Sequence, residues 1–233
     1  LIKIGIGGIG SGKSLSATKD ICHTSNHSFC NWTLKLPNVT RLKREMIMED
    51  IAIGSGRDGS PKFKKRVNWK FWEEAKQKHG NFSIYIDEIH NVANSRRAMS
   101  TWNVNFSTWI TQIRKILQGH KHSHLVCMAQ RIESIDPVIR DLANEITHVM
   151  KTETKTLVRT RVFDSYNKRM VWKDLPRTVI HKFIFKGEYC LDKYLAFRNG
   201  MGHPDSETAF VGNKYFKYFD TFEMIRFGDD VYV

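Results

Sequence analysis

Three short stretches of the chain carry residue types that can act together on a phosphate. Gly7-Gly8-Ile9-Gly10-Ser11-Gly12-Lys13-Ser14 matches G-x-x-x-x-G-K-[ST]. That spacing lets successive backbone N–H groups curl around a phosphate, with a helix N-terminus adding positive potential. Lys13 is expected to reach the β- and γ-phosphates of a nucleoside triphosphate, and Ser14 to ligate Mg²⁺. Phe82-Ser83-Ile84-Tyr85-Ile86-Asp87-Glu88 is an apolar run ending in two carboxylates. Asp87 is placed to hold the Mg²⁺ water shell, and Glu88 to orient and polarise an attacking water. Leu125–Ala129 is a second apolar run, ended by Gln130, whose side chain suits the γ-phosphate or the nucleophilic water.

These groups need elements to hold them. Leu1–Ile6 reads as a strand feeding the Gly-rich turn and Lys13–Cys22 as the helix after it. Phe29–Leu36 reads as a strand ended by Pro37, and Thr40–Ile51 shows helical spacing. Gly54–Lys65, rich in Gly, Ser, Pro and Lys, is expected to be a mobile loop. Trp69–His79 reads as a helix stopped by Gly80, and Trp102–Leu117 as an amphipathic helix. Its stripe of Trp102, Phe106, Trp109 and Ile113 is expected in the core rather than stacked on bases. Val138–Ala143 reads as a short helix and Glu145–Met150 as a strand. Strands alternating with helices imply an α/β fold with a mostly parallel sheet covered by helices.

The pattern changes near residue 151. Thr156–Phe163 and Arg169–Trp172, joined by a turn-rich link, read as a β-hairpin. Residues 1–150 are therefore expected to form the phosphate-binding core, and residues 151–233 a small β-rich C-terminal appendage packed on it.

The chain has 233 residues, 41% hydrophobic and 26% charged, a globular balance that excludes disorder as the main state. No run of 18 or more apolar residues predicts a transmembrane helix. LIKIGIGGIG lacks the pattern of a signal peptide, and an opening Leu1 fits a trimmed chain or one numbered from within a longer one. Four cysteines without a C-x-x-C pair fit a reduced, cytosolic protein. The formal net charge is +13, which favours a polyanionic partner, nucleic acid or an anionic membrane face. Within that surplus, Lys62, Lys64, Lys65 and Arg66 are candidate DNA contacts. His120, His122 and His124 alternate without Cys or carboxylate and read as a solvated or phosphate-facing basic segment rather than a metal site.

GGIGSGKS, IYIDE and VCMAQRIESIDPVIRDLANEI together resemble the FtsK–HerA superfamily of DNA-pumping ATPases. The last segment is the most telling, with Gln130-Arg131 at a strand end and Ile139-Arg140-Asp141-Leu142-Ala143-Asn144 returning to the sheet. Within the superfamily, CNWTLKLPNVTRL and YFKYFDTFEMI resemble the zonular-occludens-toxin-like ATPases of filamentous phage morphogenesis and the small packaging ATPases of archaeal viruses.

The resemblance implies a RecA-like core, ATP with Mg²⁺, DNA as partner, and a ring of identical subunits, often a hexamer. It also implies capsid or membrane-associated virion assembly proteins as further partners, and work in the cytoplasm of an infected host cell or at its membrane. It strengthens Gln130 as a catalytic residue beside Lys13 and Glu88. It further implies an arginine donated in trans to a neighbour's nucleotide. Arg114, Arg131 and Arg140 are the candidates, all expected near the carboxyl edge of the sheet, with Arg140 slightly favoured. Three other readings compete with a DNA motor: a small-molecule kinase, a terminase-like motor with a nuclease half, and a DNA-binding module whose loop is structural. The paired Asp87-Glu88 and the basic surplus weigh against the kinase, and the short tail without a carboxylate cluster weighs against a nuclease.

Overall fold

A computed structural model describes residues 1–55, 58–91, 101–118, 123–164 and 169–218. It begins with β1 (Ile2–Ile6), the Gly-rich turn and α1 (Lys13–Cys22), followed by β2 (His27–Cys30) and β3 (Val39–Arg41). A four-residue α2 (Arg44–Ile47) leads into β4 (Met48–Ser55) and β5 (Pro61–Val67), then α3 (Trp69–His79) and β6 (Phe82–Ile86). Next come α4 (Thr101–Leu117), β7 (Leu125–Ala129) and α5 (Pro137–Asp141). The chain closes with β8 (Glu145–Asp164), β9 (Arg169–Lys186), α6 (Cys190–Arg198) and β10 (Ser206–Val211).

The eight-stranded sheet has the order β10-β9-β8-β1-β7-β6-β2-β3. The run from β8 to β3 is parallel throughout, and β9 and β10 are antiparallel additions. This is the mostly parallel sheet of a RecA-like P-loop core. β1 lies between β7 and β8, with β6 beyond β7. The carboxyl ends of β1, β6 and β7 therefore open side by side, where ligands bind in such sheets.

One sheet face sends Ile4, Ile84, Ile86 and Cys127 against Trp72 of α3 and Phe106 and Trp109 of α4, all fully buried. The aromatic stripe of α4 is core, as its spacing predicts. The other face packs Tyr85, Met128 and Val149 under Leu15 and Ile21 of α1. Asn68 caps α3 by accepting from Phe71 N at 3.1 Å, and Gly80, with φ of 64°, ends it.

The helix expected over Thr40–Ile51 and the loop expected over Gly54–Lys65 are replaced by β3, the short α2 and the β4–β5 hairpin. Charges pair across the strands of the hairpin, with Lys65 2.9 Å from Asp50 and Arg66 2.7 Å from Glu49. Buried Ile47, Met48 and Val67 root it. The strand expected over Phe29–Leu36 ends at Cys30, after which Trp32 and Leu34 are buried in irregular backbone. The division expected at residue 150 falls inside β8, and β8, β9 and β10 belong to the same sheet as β1. The helix α6 and strand β10 have no counterpart in the sequence reading.

Candidate active site

The Gly-rich loop leaves the carboxyl end of β1 and turns into α1. A Cβ at Gly7 would lie 2.4 Å from Ser11 Oγ and 2.5 Å from the Val149 carbonyl oxygen of β8, so the loop presses against its neighbouring strand. Gly12 opens α1 with φ of 89°, and a Cβ there would lie 2.4 Å from Ile180 of β9. The loop is thus seated on β8 and β9 as well as on its own strand. Lys182 of β9 adds an ion pair at 2.9 Å to Asp20 of α1.

Lys13, nearly buried, donates from Nζ to the carbonyls of Gly7 at 2.7 Å and Gly8 at 3.1 Å, so its ammonium lies over the loop. Ser14 Oγ donates to Asp87 Oδ2, joining the first turn of α1 to the end of β6. Asn31, just past β2, fixes Asp87 in both directions. Its Nδ2 donates to the Asp87 carbonyl at 2.9 Å, and its Oδ1 accepts from Asp87 N at 2.8 Å. Burial pushes the Asp87 carboxyl above the usual carboxylate range, opposed by the Ser14 hydroxyl and the nearby Lys13 ammonium. Ser14 and Asp87 bring a hydroxyl and a carboxylate together beside the loop, a hard-oxygen donor set that fits Mg²⁺.

Glu88 has φ of 51°, a left-handed backbone that a non-glycine residue adopts only where the surroundings enforce it. Its N–H donates to Asp87 Oδ1 at 2.9 Å. Its carboxylate lies 3.2 Å from His90 Nδ1 and 3.4 Å from Gln130 Nε2. The ends of β6 and β7 are thereby joined through Glu88 and Gln130, as the two strand ends suggest. Asn31 and His90 were not singled out from the sequence: an Asn after a strand and a His in a 3-10 turn carry no motif.

A cleft of about 690 Å³ opens over the loop. Its floor is the loop with Asp87, Glu88 and Gln130, and its far wall is the β8–β9 ribbon with Lys173, Leu175 and Phe216 of the following segment. Gly7–Ser14, Asp87, Glu88 and Gln130 are therefore assembled as their spacing implies. The arrangement can bind a phosphate chain, neutralise it with Lys13, and set a carboxylate and an amide where water meets a terminal phosphate.

The arginines divide. Arg131 is exposed and follows Gln130 directly at the carboxyl edge. Arg114 sits in the last turn of α4, which returns to the amino edge; its charge joins burial and Lys3 in holding the Leu1 amino group below its ordinary pKa. Arg140 is half-buried in α5, shortly before Asn144, which bonds both the N–H and the carbonyl of Ile2 at that same amino edge. The expected carboxyl-edge position is thus met by Arg131 and not by Arg114 or Arg140, because α4 and α5 carry the chain back across the sheet. Lys62, Lys64, Lys65 and Arg66 lie on β5, where Lys65 and Arg66 are paired with acids. His120 and His122 lie outside the described residues. Among the described residues no group of three or more His, Cys, Asp or Glu gathers to hold a metal.

Residues 4–152 match the ATPase family associated with various cellular activities (AAA). The N-terminal domain of zonular occludens toxin from Neisseria meningitidis is similar in fold, with TM-score 0.51, 14% identity, 94% of this chain covered and 98% of that one. The genome packaging NTPase B204 of Sulfolobus turreted icosahedral virus 2, solved with ATP-gammaS, aligns with TM-score 0.37 and 14% identity over 73% of this chain and 95% of that one. No curated protein matches the chain. With the family matched across the loop and the strand ends that form the floor of the cleft, the chain belongs to the ATPase family associated with various cellular activities and is an ATP-binding P-loop ATPase.

Proposed function

We propose that the chain is the ATP-hydrolysing motor of a virus or phage, moving DNA during genome packaging or virion morphogenesis. The observation that carries the reading is the placement of Glu88. Its carboxylate stands at the end of β6, beside buried Asp87 and within 3.4 Å of Gln130, facing the cleft over the phosphate loop. That is a place for water, and it favours hydrolysis over phosphoryl transfer to a second substrate.

The loop N–H groups and Lys13 bind the phosphate chain and offset charge on the transferred group. Ser14 and Asp87 would hold Mg²⁺, which when bound neutralises phosphate charge. Glu88 takes a proton from the attacking water, and Gln130 holds that water or the γ-phosphate in line. The net charge of +13 supports DNA as the substrate moved. The oligomer we favour is a ring, probed through Arg131 as the residue offered to the neighbouring cleft. Mixing Lys13→Ala with Arg131→Ala subunits should then restore some turnover, and mixed rings without activity would remove Arg131 from that role.

The direct test is steady-state ATP turnover with and without DNA of unrelated sequences. Turnover should rise with any DNA, and the rise should fade steeply with salt as released counterions lose their advantage. Turnover indifferent to DNA at every salt concentration would contradict the motor reading.

A further inference from the structure

β8 and β9 pair with other strands only at their roots. β1 pairs with β8 over Glu145–His148 and β10 with β9 over Val179–Ile184. Beyond these, the two strands run on as a ribbon, with Val158 opposite Leu175, Thr160 opposite Lys173 and Arg161 opposite Trp172.

Alternation gives this ribbon two unlike faces. The inner face carries Val162, Lys173 and Leu175 into the ATP cleft. It is pinned there by Asn213, which donates from Nδ2 to Thr160 Oγ1 at 3.0 Å and accepts at Oδ1 from Thr178 N at 2.8 Å. The outer face carries Arg159, Arg161, Trp172 and Asp174, all exposed. Trp172 is 60% exposed, a large residue left in water, and Leu157 on the same face is 62% exposed. The Arg159 guanidinium lies 5.7 Å from the Trp172 ring centroid, within cation–π reach. Asp174 faces Arg159 across the strands. It is outnumbered, since residues 151–177 hold eight Lys and Arg against three acids.

An exposed indole flanked by guanidiniums on a basic ribbon matches the chemistry of a strand with unpaired bases. Arginine forks engage phosphates, and an indole stacks on any base. A folded acidic protein or a duplex would offer charge for the arginines but no free base face for Trp172. We propose that the outer face of the β8–β9 ribbon, through Arg159, Arg161 and Trp172, is a docking site for single-stranded DNA. The same strands carry residues of the ATP cleft on the opposite face, so a strand bound outside bears on Lys173 and Leu175 inside. This deepens the motor reading and rests on it.

The test uses the full chain, a labelled oligo-dT and a duplex of equal length. Binding is read by anisotropy across salt concentrations, and ATP turnover with and without each DNA. Arg159→Ala/Arg161→Ala should weaken oligo-dT binding at least tenfold and lower the salt slope by about 1.4, at about 0.7 for each phosphate no longer neutralised. Trp172→Ala should weaken it roughly 5- to 150-fold, and Trp172→Phe should recover part of that loss. Turnover without DNA should stay at the unmutated rate in all three, with stimulation lost in the first two. Lys62→Ala/Lys64→Ala on β5 should change oligo-dT binding less than threefold. Ribbon variants that bind and respond like the unmutated chain would overturn the proposal while leaving the motor reading intact. Duplex binding insensitive to Trp172 and stronger than oligo-dT binding would also overturn it. Ribbon-dependent binding with turnover that ignores DNA would instead remove the motor reading and keep the site.

Discussion

The β4–β5 and β8–β9 hairpins are both basic and both antiparallel, yet their charges do different work. β4–β5 places Lys65 against Asp50 and Arg66 against Glu49, so much of its positive charge is answered within the hairpin. It follows β3 and α2, and Asn105 of α4 donates to it from Nδ2 to the Lys65 carbonyl at 3.0 Å. β8–β9 grows out of the central sheet, walls the ATP cleft with one face and leaves Arg159, Arg161 and Trp172 exposed on the other. A count of lysines and arginines in sequence does not separate the two. Register does, because it decides which charges meet an acid and which meet water.

The largest effect expected from breaking this comparison comes at the ribbon's root. Gly7→Ala drives a methyl into the Val149 carbonyl of β8 and into Ser11 Oγ. It should cost roughly 1–3 kcal/mol of stability and abolish ATP binding, because loop and strand cannot both keep their places. Gly59→Ala, in the turn region of the other hairpin with φ of 80° and open space around it, should cost about 1–2 kcal/mol from backbone alone and leave ATP affinity unchanged. Thermal unfolding with nucleotide titration calorimetry reads both. Equal loss of ATP binding in the two variants would erase the distinction.

A smaller effect is expected where each hairpin is pinned. Asn213→Ala strips buried partners from Thr160, Thr178 and Pro176 and should cost about 1–3 kcal/mol. Amide exchange should accelerate across the ribbon. Asn105→Ala removes a single part-buried bond and should cost only about 0.5–1.5 kcal/mol. Exchange that quickens in β4–β5 but not in β8–β9 would reverse the ranking of the two clamps.

The smallest stability effect belongs to Glu49→Gln/Asp50→Asn. These exposed ion pairs are worth about 0–1 kcal/mol each, so the melting temperature should barely move. The freed Lys65 and Arg66 should nevertheless raise affinity for DNA at low salt and steepen its salt dependence. An unchanged salt slope would mean that pairing is not what separates the hairpins.

Much of the site was legible because its elements are held by apolar burial or by a fixed motif. β1, β6 and β7 are short apolar runs, and α1 and α3 have the bounds their signals imply. Gly7–Ser14 and Asp87-Glu88 carry their chemistry in their spacing. The β4–β5 hairpin was not legible, since most of it is exposed and its Gly, Ser, Pro and Lys look like a loop until the cross-strand ion pairs are seen. α6 was missed because its apolar residues do not gather on one helical face. Asn31 was missed because its role exists only once β2 lies beside β6. Arg114 and Arg140 were misplaced because side-chain type says nothing of the direction in which a helix carries it.

The account turns on whether the cleft beneath the ribbon hydrolyses ATP through Glu88. The most direct measurement is rapid-quench hydrolysis of γ-labelled ATP by the unmutated chain and by Glu88→Gln, with ATP affinity measured on the same preparations. Glu88→Gln should bind ATP within a few-fold of the unmutated protein and hydrolyse it at least about 100-fold more slowly, because the amide keeps the shape but accepts no proton. Hydrolysis by Glu88→Gln at the unmutated rate would contradict the assignment of Glu88 and, with it, the placement of the attacking water.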